Sequence, residues 1–127
     1  MQKFSKNERL CNKREIDQLF QRGSIISEKP LSILWKSNNC NNLCNSVTIK
    51  VLIVVSKKNI PKAVTRNKIK RLIRESYRKN KKNIIEFLRR KEKNVHLAFI
   101  YNESEISNLT IISEKINLLL LRLKKEI

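Results

Sequence analysis

The sequence predicts an α+β protein, a two-layer α/β sandwich with elements in the order α-β-β-β-α-β-α. Three observations carry that reading. VTIKVLIVVS at 47–56 is a β-branched run suited to a buried strand, and VHLAFIY at 95–101 is a second. Apolar residues on either side of 95–101 recur at helical spacing. At 127 residues the chain is long enough for one domain with one core, taken as 1–127.

The elements follow in order. NKREIDQLFQRG, 12–23, reads as a short helix, with Asn12 as a candidate N-cap, Glu15 three residues on, and Gly23 as the stop. Ile16, Leu19 and Phe20 share one face. SIISEK (24–29) and LSILWKS (31–37) read as strands separated at Pro30. The Asn-rich 38–46 is a loop, and 47–56 is the central strand. A basic connection, 57–65, leads to a helix from about Lys62 or Arg66 to Lys79. Residues 83–94 continue that helix or add a further turn. Strand 95–101, a loop, and an amphipathic helix from Leu109 close the chain.

Charge bounds the function. Lys plus Arg number 29 against 11 Asp plus Glu, a net +18, which favours nucleic acid or an anionic membrane. A membrane-surface helix needs an aromatic stripe opposite its lysines, and the aromatics here are scattered. No apolar run approaches the roughly 20 residues of a membrane span. The amino terminus carries no signal-like stretch, so the expected location is cytoplasmic, with no membrane partner.

The charge is concentrated in KAVTRNKIKRLIRESYRK, 62–79. At about 100° per residue, Ile69, Leu72, Ile73 and Tyr77 fall on one side, suited to packing on a sheet. Arg66, Lys70, Arg74 and Arg78 follow one another at i+4, flanked by Asn67 and Arg71, with Glu75 alone to relieve their repulsion. Arg forks bind phosphate bidentately. A basic helix that follows a strand is not a helix-turn-helix, which points to RNA rather than a DNA major groove. Ile16, Phe20 and Trp35 are either ordinary core or a platform for single-stranded bases; spacing leaves both open.

Chemistry of its own is not expected. Asp17 is the only Asp and His96 the only His, and the Glu residues form no acid/base or metal cluster. Cys11, Cys40 and Cys44 lack the paired spacing of a zinc site and read as reduced thiols. No catalytic residue and no metal ligand is assigned.

SKKNIPKAVTRNKIKRLIRESYR resembles the bacterial ribonuclease P protein component, whose signature runs roughly K-K-x(4–5)-A-x-x-R-N-x-I-K-R-x-x-R-E-x-[FY]. The matching positions are Lys57, Lys58, Ala63, Arg66, Asn67, Ile69, Lys70, Arg71, Arg74, Glu75 and Tyr77. Upstream, NERL and REIDQLFQRG are similar to that family's amino-terminal pattern. The sequence departs from it where Ile16 replaces a usual Phe, Leu52 a common Gly, and Trp35 a smaller side chain or Tyr.

The resemblance implies a noncatalytic subunit that binds ribonuclease P RNA and the 5′ leader of precursor tRNA. In that family the RNA cuts off the leader, with Mg²⁺ held on RNA phosphates. It implies a left-handed βαβ crossover and no obligate protein partner. RNA-binding residues are then Lys57, Lys58, Arg66, Asn67, Lys68, Lys70, Arg71, Arg74 and Arg78. The leader cleft is assigned Ile16, Phe20, Ile33 and Trp35, with Lys57 also lining it. The alternative is a ribosomal or general RNA-binding protein with no role in tRNA processing.

Overall fold

Two runs of β-branched and apolar residues set the centre of the sheet. In the computed structural model, which describes residues 10, 13–28, 31–39, 49–91, 93–103 and 108–126, they become β3 (Ile49–Val55) and β4 (Lys93–Tyr101). These strands pair in parallel, from Ile49↔Val95 to Val55↔Tyr101. Parallel neighbours need a long crossover, and α2 (Ala63–Lys91) supplies it. On the other side of β4 lies β2 (Leu31–Asn39), antiparallel from Leu31↔Tyr101 to Asn39↔Lys93. An antiparallel edge strand, β1 (Ser24–Glu28), completes the order β1-β2-β4-β3. Helices α1 (Lys13–Arg22) and α3 (Leu109–Glu126) complete the predicted α-β-β-β-α-β-α order.

Strand alternation splits the sheet into two faces. Leu31, Ile33, Val51, Val55, Val95, Leu97, Phe99 and Tyr101 point to one. There they meet Ile69, Ile73, Tyr77, Ile84 and Leu88 of α2, and Ile112, Ile116, Leu119, Leu120 and Leu123 of α3. Tyr77 and Phe99 stack at a tilt, their centroids 5.6 Å apart. Burial of each such side chain contributes about 1.5–3 kcal/mol, so this layer holds most of the fold's hydrophobic stabilisation. The opposite face carries a smaller cluster, Leu34 and Ala98 with Leu19 of α1 and Leu10. The Leu10 amide donates to the Val51 carbonyl at 2.9 Å, occupying part of the outer edge of β3. Sheet and α2/α3 form the two-layer body, and among the described helices α1 is the one that lies across the other face.

Helix α2 runs unbroken through Lys79–Asn83, where the sequence leaves its end open. No Gly or Pro interrupts it, and Ile84 and Leu88 continue the buried stripe of Ile73 and Tyr77. Asn108 caps α3, its Oδ1 accepting from the Ile111 amide at 2.9 Å. The expected cap at Asn12, the turn at Pro30, the loop 38–46 beyond Asn39, and Cys11, Cys40 and Cys44 lie outside the described residues.

Candidate nucleic-acid interface

The cationic residues of α2 take their places from what the helix packs against. One flank faces α3: Asn80 Nδ2 donates to Ser113 Oγ at 3.3 Å, and the Lys124 ammonium stands 5.9 Å from the Phe87 ring centroid. At about 100° per residue, Lys70, Arg74 and Arg78 fall on the other flank. Steps of four residues advance about 40° per turn, so this line winds outward from the edge of the core. Lys70, Arg74 and Arg78 are accordingly half-buried, while Asn67, Lys68 and Arg71 are exposed. Arg78 Nη2 lies 2.9 Å from Glu75 Oε2, and that contact holds the Glu75 carboxyl below its ordinary range.

Arg66 does more than add charge. Its Nη1 donates to the carbonyls of Ile60 (3.0 Å) and Pro61 (2.8 Å), tying the turn after β3 to the first turn of α2. Within that turn Ser56 Oγ accepts from the Lys58 amide (3.1 Å) and the Ser56 carbonyl from Ile60 (2.9 Å). Lys57 and Lys58 are thereby presented, exposed, beside the start of the helix. Lys57, Lys58, Arg66, Lys70, Arg74 and Arg78 run as one strip from this turn along α2, with Asn67 and Arg71 on its outer side, while Lys68 lies about 160° around the helix from Lys70.

The leader-cleft assignment needs correction on β2. Ile33 is fully buried beneath α2 and α3, and Trp35 packs against the same core. Ile16 instead packs on the opposite side, in the cluster of Leu19, Leu34 and Ala98, and Phe20 stands 49% exposed nearby on α1. The four residues are not brought together. The reason is parity: side chains alternate along a strand, and the β2 positions facing α1 are Ser32, Leu34 and Lys36. Trp35 Nε1 is buried with no hydrogen-bond partner among the described residues. Ile16 and Leu52 both pack on the α1-side cluster, so the two departures from the family pattern share one apolar floor.

Register shows what the α1 side carries. Leu34, Ala98 and Leu52 form an apolar row across β2, β4 and β3, and Lys36, His96 and Lys50 form a cationic row beside it. Glu15 of α1 reaches down onto that second row, 2.9 Å from His96 Nε2 and 3.6 Å from Lys50 Nζ. Burial pushes the His96 imidazole below its ordinary pKa, and Lys50 and Lys36 add to this against the opposing pull of Glu15. Neutral His96 therefore donates its Nε2–H to the Glu15 carboxylate. Sequence reasoning missed this row because its three members lie on three strands. Only the pairing register brings them side by side.

Among the described residues no group of three or more His, Cys, Asp or Glu comes together. Among them no helix is long and apolar enough to cross a membrane. Fold and surface thus define a class: a mixed α+β protein with a cationic strip along one helix and, on the other face of its sheet, a buried apolar cluster under α1 beside the Lys36, His96 and Lys50 row.

Comparison with known proteins narrows the class. The family model Ribonuclease P matches residues 4–120. A ribonuclease P protein component of Porphyromonas gingivalis is 29% identical over 120 residues, covering 94% of this chain and 85% of that one. One from Clostridium novyi is 42% identical over 83 residues, 65% of this chain and 69% of that one. The RNase P protein from Thermotoga maritima superposes with a TM-score of 0.69 at 28% identity, covering 91% and 96% of the two chains. That from Staphylococcus aureus gives 0.69 at 23% identity, covering 92% and 95%, a likeness of fold. The chain belongs to the ribonuclease P protein family.

Proposed function

We propose that this chain is the protein subunit of a ribonuclease P in which the RNA partner carries the chemistry. The observation that supports this most directly is the strip formed by Lys57, Lys58 and the cationic flank of α2, on a chain of this family. Lys57, Lys58, Arg66, Asn67, Lys68, Lys70, Arg71, Arg74 and Arg78 would engage phosphates of the ribonuclease P RNA. Neutralising them releases counterions and makes binding salt-sensitive.

The substrate is proposed to be precursor tRNA. Its single-stranded 5′ leader would lie in the groove between α1 and the sheet, over Ile16, Phe20 and Leu34. Strip and groove lie on opposite faces of the sheet, so the protein would hold catalytic RNA and leader at once. Binding energy remote from the cleaved bond would then orient it in the RNA active site. Mg²⁺, in this reading, sits on RNA phosphates and not on the protein. By reducing phosphate repulsion the protein lowers the Mg²⁺ needed.

Reconstitution with a bacterial ribonuclease P RNA at low magnesium tests the proposal. The intact protein should stimulate 5′ processing, charge reversal at Lys70 and Arg71 should abolish the stimulation, and protein alone should leave precursor tRNA uncut. Absence of stimulation by the intact protein, or cleavage without RNA, would overturn it. A general RNA-binding role predicts equal affinity of the assembled complex for leader-bearing and mature tRNA.

A further inference from the structure

The α1-facing side of the sheet carries an ion arrangement that leader binding alone does not account for. Lys36, His96 and Lys50 are Cα partners across three adjacent strands. Their side chains emerge on the same face at strand spacings of about 4.8 Å. Such a row of N–H donors is an anion seat. In this structure it is taken by a carboxylate of the protein itself, with Glu15 Oε2 on His96 and Oε1 toward Lys50.

We infer that Glu15 holds the place of a nucleic-acid phosphate, which displaces it from the Lys36–His96–Lys50 row when a single strand enters the groove. The inference rests on the proposed leader groove and adds to it a seat, an internal competitor and a register for the strand. Two observations make Glu15 displaceable. Its side chain and that of Lys50 are 27% and 36% exposed, so their pairing is weakened by solvent. The Lys50 contact, at 3.6 Å, is longer than a charge-assisted hydrogen bond. Two lysines and an imidazole N–H also exceed what one carboxylate satisfies, whereas a phosphodiester offers two anionic oxygens to the same donors.

The neighbouring surface suits the rest of a nucleotide. Phe20 lies five residues from Glu15, about 7.5 Å along and about 140° around α1, on the other side of the buried Leu19, and is 49% exposed. Ile25, whose Cα partner is Leu34, is 62% exposed. An apolar ledge for bases thus lies across α1 from the row, and aromatic stacking there is sequence-tolerant. Glu15 thus acts as a positioning residue. It keeps the row compensated when empty and makes entry depend on a competing anion.

The test measures affinity of the full-length protein for a fluorescent single-stranded RNA of eight nucleotides, at fixed salt. Glu15→Gln should tighten binding about 3- to 10-fold, and Glu15→Asp, which keeps the charge but draws it back from His96, should tighten it less. Asp17→Asn removes the same charge from an exposed position of α1 and should change affinity less than about 2-fold. In Lys50→Gln the effect of Glu15→Gln should shrink. The His96 imidazole NMR signals of wild type should move on RNA addition. No gain from either Glu15 variant while Lys36→Gln and Lys50→Gln weaken binding would overturn the seat and leave the groove reading standing. An equal gain from Asp17→Asn would also overturn it. If Lys36→Gln and Lys50→Gln bind like wild type, groove and seat both fall.

Discussion

Arg66 Nη1 lies 2.8 Å from the carbonyl oxygen of Pro61, so the residue that opens the cationic strip also closes the turn feeding it. A lysine keeps the charge, but its ammonium on a shorter, flexible stem does not reproduce the reach and fixed direction of the two Nη1 N–H bonds. Arg66→Ala should therefore lower RNA affinity by about tenfold or more and speed amide exchange at Ile60. Arg66→Lys should retain the long-range attraction yet still speed that exchange. Wild-type exchange and affinity in Arg66→Lys would show that charge alone is used.

The strip should behave as a set of phosphate-neutralising cations. Replacing Lys70 or Arg71 by Gln should lower affinity for the RNA partner. It should also flatten the plot of log K against log salt by about one unit of slope for each phosphate left without its cation. Across the whole surface, neutralising six or more phosphates corresponds to a fall in affinity of about 10³-fold or more between 50 and 200 mM salt. Fluorescence titration at four salt concentrations measures both quantities. An unchanged slope with reduced affinity would mean the variant had perturbed the helix and left the phosphate pairing intact.

The difference between what is and is not legible in the sequence has a physical basis. The period of Ile69, Ile73 and Tyr77 determines which side of α2 is buried, because helix periodicity is local. The element order is readable for the same reason. The groove is not, because strand parity depends on long-range pairing. Leu31, Ile33 and Trp35 offer a more apolar alternate set than Ser32, Leu34 and Lys36, and the larger set goes to the larger core. Glu15 looks like a capping-box residue, and its contact with His96 crosses from a helix to a strand 81 positions away (96 − 15).

Gly23 is held by close approach. Its amide donates to the Leu19 carbonyl at 2.8 Å, ending α1, and a Cβ placed there would lie 2.4 Å from that oxygen and 2.9 Å from Leu34 Cδ1. Because the first of these atoms belongs to the backbone of α1 itself, relief requires the last turn of α1 to shift where it joins β1. Gly23→Ala should therefore cost about 1–3 kcal/mol, seen as a lower urea midpoint with an unchanged m-value. The same shift moves Phe20, so affinity for single-stranded RNA should fall more than affinity for the ribonuclease P RNA. Equal losses would place the damage in global stability alone.

His96 gives the fold a defined response to acid. Its ordinary pKa of 6.5 is lowered in the folded protein, chiefly by burial, with Lys50 and Lys36 contributing and Glu15 opposing. The unfolded chain then binds the proton more readily than the folded one. By linkage, stability rises with pH wherever the unfolded state holds more protons. The His96 contribution is thus fully present above about pH 6.5 and is lost progressively as pH falls through the lowered folded-state value. Wild type should lose stability between pH 7 and 5.5, measured by urea unfolding. His96→Gln, whose side-chain amide can still donate toward Glu15 but does not titrate, should lose less over that interval. A wild type that gains stability on acidification would mean that attraction to Glu15 outweighs burial, reversing the sign of this group's contribution.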